Sequence, residues 1–236
     1  MMESRIKKML EAGVHFGHQK SRWNPKMAQY IFTERGNVHI FDLVKTDEQL
    51  TIAEKFLGEV IKNNGVVLFV GTKKQAQTIV REAAESCGMP YVTERWLGGM
   101  LTNFDTFYKR IKTLKVMEDK IDKMSFATKK QLLVAKKKAN KISENLSGIS
   151  QLDKQPDVVF AIDVIKDNTA IKEAKKLNIP VVAIVDTNAN PGNIDYVIPG
   201  NDDAVKSIQF FSTEIAELIN KSKPIVKAEL ESQNGN

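Results

Sequence analysis

Cysteine occurs once in the 236 residues, as Cys87. One thiol excludes an internal disulfide framework and any Cys-rich zinc site. No apolar run approaches the ~18 residues that span a bilayer. The opening residues, MMESRIKKMLEAG, lack the apolar core of a signal peptide. Glycine-rich phosphate loops are also missing: neither G-x-G-x-x-G nor G-x-x-x-x-G-K-[ST] follows a strand. Aromatic residues are few, at 7%. A soluble, cytoplasmic protein with no membrane partner is therefore expected. Hydrophobic residues make up 42% and charged residues 27%, ordinary globular usage. A chain of this length can bury most of its apolar surface unaided.

Acidic residues are scarce in two places. Between Lys109 and Lys141 there are twelve basic residues and three acidic ones, a net +9. Residues 1–35 carry +4. The whole chain is only +6, so the remainder is −7. A mildly acidic body thus carries a basic insertion and a basic N-terminal arm. Clustered positive charge of this kind attracts polyanions and steers their approach. A solvated helix face is the plainer reading of a lysine run. Two such segments against an acidic remainder favour nucleic acid.

The body reads as alternating strands and helices. Val66–Val70, Asp157–Asp163 and Val181–Asp186 are continuous apolar strands, and Tyr196–Ile198 is a shorter one. Val38–Leu43 adds a further strand or an edge hairpin. Continuous rather than alternating apolar strands indicate a parallel sheet covered on both faces. Thr46 with Gln49, Thr72 with Gln75 and Thr128 with Gln131 have capping-box spacing and predict three helix starts. Asn201 is placed to cap a last helix. Within the insertion, Phe104 to Met124 and Leu132 to Ile149 each step by three and four, joined at Ser125–Ala127. Two such seams describe an antiparallel helical hairpin.

The fold class expected is α/β, a three-layer sandwich with a mainly parallel central sheet plus an inserted antiparallel helical hairpin (coiled coil). Residues 1–103 and 150–224 form the discontinuous α/β domain with its basic N-terminal arm. Residues 104–149 form the hairpin, and 225–236 a loose C-terminal tail.

Candidate chemistry is thin. His15 and His18 stand three apart in GVHFGHQ, but a third ligand is not identifiable, and a hydrogen-bonded, ring-packed role is preferred to a metal. Cys87 falls on the apolar stripe of its helix and reads as an inert core thiol. Asp163 and Asp186 end buried strands, where open α/β sheets place active sites. Alone, such residues more often cap the next turn. Lys73 and Lys74 lie at a helix start that offers a weak phosphate site. Ser21–Met27 is expected to be extended around Pro25, and with Glu94–Phe104 it combines tryptophan and arginine in a loop. That combination suits phosphate contact and base stacking, and a tryptophan packed under a surface loop is the equal alternative.

The segments AGVHFGHQ, RWNPKM, FVGTKKQAQ, RWLGGMLTNF, IPVVAIVDTN and IDYVIPGNDDA, in this order, resemble the bacterial form of the ribosomal protein S-two family of the small subunit. The resemblance covers Gly13 to about Ile219. It implies an α/β sandwich with a projecting hairpin, binding of small-subunit ribosomal RNA, and support for docking of ribosomal protein S-one. It implies no catalytic residue.

The function expected is a structural constituent of the small ribosomal subunit, not an enzyme, with no cofactor and no metal. Its RNA contacts are expected at Arg22, Trp23, Lys26, Lys73, Lys74, Arg95, Trp96, Lys109, Arg110, Lys136, Lys137 and Lys138, with both tryptophans positioning their loops. Partners would be the ribosomal RNA and neighbouring subunit proteins, including ribosomal protein S-one, rather than a second copy of the chain. A nucleotide- or cofactor-binding enzyme on a Rossmann-like sheet is the alternative, and a protein-docking scaffold a third reading.

Overall fold

The structure is a computed structural model that describes residues 2–122, 132–134, 136–137, 146–150 and 152–233. Helix α1 (Met2–Glu11) is followed by β1 (Phe16–Gln19), β2 (Ile31–Arg35), β3 (Val38–Phe41) and α2 (Leu43–Lys62). Then come β4 (Val67–Val70), α3 (Gln77–Ser86), β5 (Tyr91–Val92) and α4 (Phe104–Asp122). The chain ends through β6 (Val158–Ala161), α5 (Asn168–Lys176), β7 (Val181–Val185), β8 (Tyr196–Pro199) and α6 (Val205–Gln233).

Five strands form one sheet in the order β5-β4-β6-β7-β8. Every pairing in it is parallel. Burial explains the unbroken apolar strands. Val158, Phe160, Val182 and Ile184 point into a core with Leu50, Leu57, Ile208 and Phe211. The alternate residues Val159, Ala161, Val181 and Ala183 point into a second core with Ala170, Ala174, Phe107 and Ile111. Helices therefore cover both faces, and the three-layer arrangement stands.

Residues 2–41 do not form a free arm. Helix α1 lies on α2, where Arg5 Nε meets Asp47 at 2.5 Å and Arg5 Nη1 meets Glu54 at 3.0 Å. Strands β1, β3 and β2 form a separate antiparallel sheet in that order. Its β2–β3 hairpin turns at Gly36 and Asn37, both at positive φ (60° and 62°). Two positive φ values make the tight turn that matches strand twist. The Ser21–Met27 stretch, expected to be extended, is instead wound into short 3-10 turns at Lys20–Arg22 and Pro25–Tyr30. Pro25 presets its own φ for the first turn, and the Asn24 side chain accepts from Lys26 N–H at 3.0 Å.

Two expected capping boxes are absent. Helix α2 begins earlier, capped by Asp42, and Thr46 is buried with its hydroxyl donating to Pro199 O at 2.9 Å. Helix α3 begins at Gln77, and Thr72 donates to Asp167 at 2.6 Å. The box at Thr128 lies outside the described residues. Asn201 does not cap the last helix either: α6 begins at Val205, and the Asn201 Oδ1 closes the turn before it by accepting from Asp203 and Ala204 N–H. Helix α6 runs to Gln233, so residues 225–233, expected to be loose, are helical. The run Lys227-Ala-Glu-Leu-Glu is rich in strong helix formers. Of the expected hairpin, α4 is described, and residues 132–134 and 136–137 are helical. The connection at Ser125–Ala127 lies outside the described residues.

Candidate functional site

In sheets of this class, ligands bind beyond the carboxyl ends of the strands, where the strand order reverses. Here that point lies between β4 and β6, and it is filled by the chain's own side chains. The Lys73 ammonium sits 3.2 Å from Asp163, 2.7 Å from Asp202 and 2.6 Å from Asp203. Burial opposes its charge, but the three carboxylates outweigh burial and raise its pKa. Asp202 is buried beside Asp163 and Asp186, and its carboxyl is pushed up to about 7 despite Lys73. Asp167, buried under Thr72, is pushed up to about 6.

Next to this cluster, His18 Nδ1 lies 3.0 Å from the buried Asp186 carboxylate and Nε2 lies 3.2 Å from Asp203. The Asp186 carboxylate, against partial burial, raises the imidazole pKa above 6.5. Donor atoms of His18, Asp186 and Asp203 fall within 4.8 Å of one another, close enough for one metal ion. Both imidazole nitrogens already face carboxylates, so a cation would compete with the proton on His18. His15 takes no part in this group; its ring rests on Phe16 at 4.0 Å.

The segment after α1 is stitched over the same edge. His18 N–H donates to Thr187 Oγ1 at 2.8 Å, and Asn24 N–H donates to Thr187 O at 2.7 Å. Asn201 N–H donates to Val14 O at 3.1 Å. Gly17 packs so tightly that a Cβ there would stand 2.6 Å from the Thr187 methyl. Charge pairs thus occupy the carboxyl ends of the strands, and the segment after α1 crosses those of β7 and β8.

This charge pairing has a pH consequence. A histidine whose folded pKa lies above 6.5 adds stability that is complete below that value and lost as pH rises through the folded pKa. Asp167 and Asp202 act in the same direction, because stability falls as pH rises from 3.8 through about 6 and about 7. Thermal unfolding should therefore show greater stability at about pH 6 than at about pH 8.5. His18→Gln should shrink that difference, by about 1 kcal/mol. An unchanged difference would mean that His18 is not ion-paired.

The second polar centre lies on the opposite face. Glu173 of α5 is buried, and its carboxylate accepts from Trp96 Nε1 at 3.1 Å and Gly99 N–H at 2.7 Å. It also accepts from Leu101 N–H at 3.0 Å, and from Thr102 N–H and Oγ1, both at 3.1 Å. Burial opposes ionisation, but these donors outweigh it and hold the carboxyl below the ordinary glutamate range.

The expected RNA contacts divide into exposed and enclosed residues. Arg22, Lys26, Lys74, Arg95, Lys109, Arg110, Lys136 and Lys137 are exposed. The Arg110 guanidinium lies over the Phe107 ring, 5.3 Å from its centroid. Lys138 lies outside the described residues. Trp23 is half-buried, with its ring 5.0 Å from His39. Lys73 and Trp96 are enclosed rather than exposed. Lys73 neutralises carboxylates, and Trp96 is 9% exposed with its N–H turned to Glu173. Asp163 caps the following turn, accepting from Ile165 and Lys166 N–H. Cys87 is buried, and burial pushes its thiol up to about 11, an inert core group.

Sequence reasoning missed the roles of Glu173 and the His18–Asp186 pair. Glu173 carried a signal: it shares the buried face of Ala170, Ile171 and Ala174, where a carboxylate needs donors.

Residues 9–222 match the family model described as Ribosomal protein S2. The chain is 47% identical to the small ribosomal subunit protein uS2 of a Nitratiruptor species, across 97% of this chain and 86% of that protein. It is 46% identical to the small ribosomal subunit protein uS2 of Koribacter versatilis, across 99% of this chain and 79% of that protein. Matches of this extent span both cores, the filled crevice and the Glu173 loop, and the chain belongs to the Ribosomal protein S2 family.

Proposed function

We propose that the chain is a structural constituent of the small ribosomal subunit that binds ribosomal RNA through backbone phosphates. The carrying observation is the division of its cations. Lys73 is consumed in filling the crevice, while Arg22, Lys26, Arg95, Lys109, Arg110, Lys136 and Lys137 stand exposed. Of 35 basic residues, six are Arg and 29 are Lys. Lysine is a mobile point charge, suited to diffuse phosphate contact more than to planar base recognition. A nucleotide-dependent enzyme would need the crevice that Lys73, His18 and their carboxylates occupy. The relatives are named as ribosomal proteins, not as enzymes. Support for docking of ribosomal protein S-one follows from the family resemblance and rests on that alone.

The test is RNA affinity measured across a salt series. Each neutralised phosphate adds roughly 0.7–0.9 to the slope of log K against log salt. The quadruple variant Lys109→Gln, Arg110→Gln, Lys136→Gln, Lys137→Gln should lower that slope by up to about 3.6 and leave the far-ultraviolet spectrum unchanged. Unchanged affinity and slope would show α4 and its companion segment to be a solvated surface.

A further inference from the structure

We propose that Glu173 is a positioning residue for RNA binding: its carboxylate shapes the 96–102 loop and so sets the geometry of Arg95 and the first turns of α4. The inference rests on the RNA-binding reading above and names the residue that organises that surface.

Five donors from one seven-residue loop converge on this single side chain. Three of them are backbone N–H groups, at Gly99, Leu101 and Thr102. Successive N–H groups turned to one point form a concavity for an anion. Gly99 makes the turn possible at φ +90°, a backbone region that side chains avoid. Leu101 is 1% exposed. Its N–H, and the buried indole N–H of Trp96, would lose their partner if the carboxylate were absent. The nest is filled from within by Glu173, so an RNA phosphate cannot occupy it and must be met by the cations displayed around it.

The loop passes its geometry straight to the basic helix. Gly99 O accepts from Asn103 N–H at 2.8 Å, and Asn103 O accepts from Thr106 and Phe107 N–H. Helix α4 begins at Phe104. Trp96, Met100 and Leu101 share a core with Phe107 and Ile111 of that helix. Arg95 immediately precedes the loop, and Lys109 and Arg110 stand on the second turn of α4. One carboxylate on α5 thus fixes the residue before the loop and the helix after it.

The experiment compares wild-type chain, Glu173→Gln, Glu173→Asp and Thr102→Val for binding to small-subunit ribosomal RNA over a salt series, well below each protein's Tm. Glu173→Gln keeps the shape but turns an amide toward donors. It should weaken binding about tenfold and lower the salt slope by roughly 0.7–0.9 for each phosphate no longer engaged. Glu173→Asp, which keeps the charge, should restore part of the slope. A residue that only stabilised the fold would lower Tm and leave the slope of the folded protein unchanged. Should Glu173→Gln fail to fold, Thr102→Val removes one donor and should give a smaller loss in both affinity and slope. Folded Glu173 or Thr102 variants with wild-type affinity and slope overturn the positioning role alone. Wild-type protein with no salt-dependent RNA binding overturns the RNA-binding reading and the positioning role together.

Discussion

Lys73→Met should lower the free energy of unfolding by about 3–5 kcal/mol at neutral pH, because it removes the cation from a buried group of carboxylates. Methionine nearly matches lysine in volume, and the Lys73 side chain is only 12% exposed, so the loss is electrostatic rather than steric. Asp202 is already pushed up to about 7 with Lys73 in place. Without it, Asp163, Asp202 and Asp203 must repel one another or take up protons. A carboxyl whose folded pKa exceeds its unfolded value of 3.8 stabilises the fold while protonated and loses that contribution as pH rises. The deficit should therefore be largest near about pH 8 and shrink near about pH 5. Denaturant titrations at the two pH values decide it. A loss that does not vary with pH would mean that Lys73 acts through packing.

Phe160→Ala should cost a similar amount, about 3–5 kcal/mol, through a different mechanism. Phe160 is fully buried in β6, the strand paired to both β4 and β7. Its ring meets Phe69 edge-on at 5.3 Å. Truncation leaves a cavity under the middle of the sheet, which parallel strands held on both sides cannot collapse to fill. The loss should not depend on pH between about 5 and 8, since no titrating group is touched. Phe32→Ala is the matched control. Phe32 is 73% exposed on β2, and its truncation should stay within about 0.5 kcal/mol. Comparable losses at Phe160 and Phe32 would contradict the burial on which the core assignment rests.

The sequence alone determined the parallel sheet, because burial on both faces demands apolar residues at every position of β4, β6 and β7. The pattern is written locally and needs no knowledge of partners. It also determined the start of α4, where a three-and-four apolar step meets a Phe-rich face, and the order of motifs that marks the family. Other features required the tertiary structure. Thr46 and Thr72 have the spacing of capping boxes, yet both hydroxyls bond across the molecule, to Pro199 and to Asp167. A threonine hydroxyl can satisfy a nearby N–H or a distant acceptor, and only the packed arrangement selects between them. Lys73 read as a cation for phosphate, but its best partner, Asp202, stands 129 positions away. Trp96 read as a residue for a nucleic-acid loop, and its N–H partner Glu173 stands 77 positions away. Apolar periodicity is visible in sequence because hydrophobic burial is non-directional and needs only a face. Charge pairing and hydrogen bonding depend on distance and angle, so which cation is spent inside and which is left exposed was decided only when the strands brought their ends together.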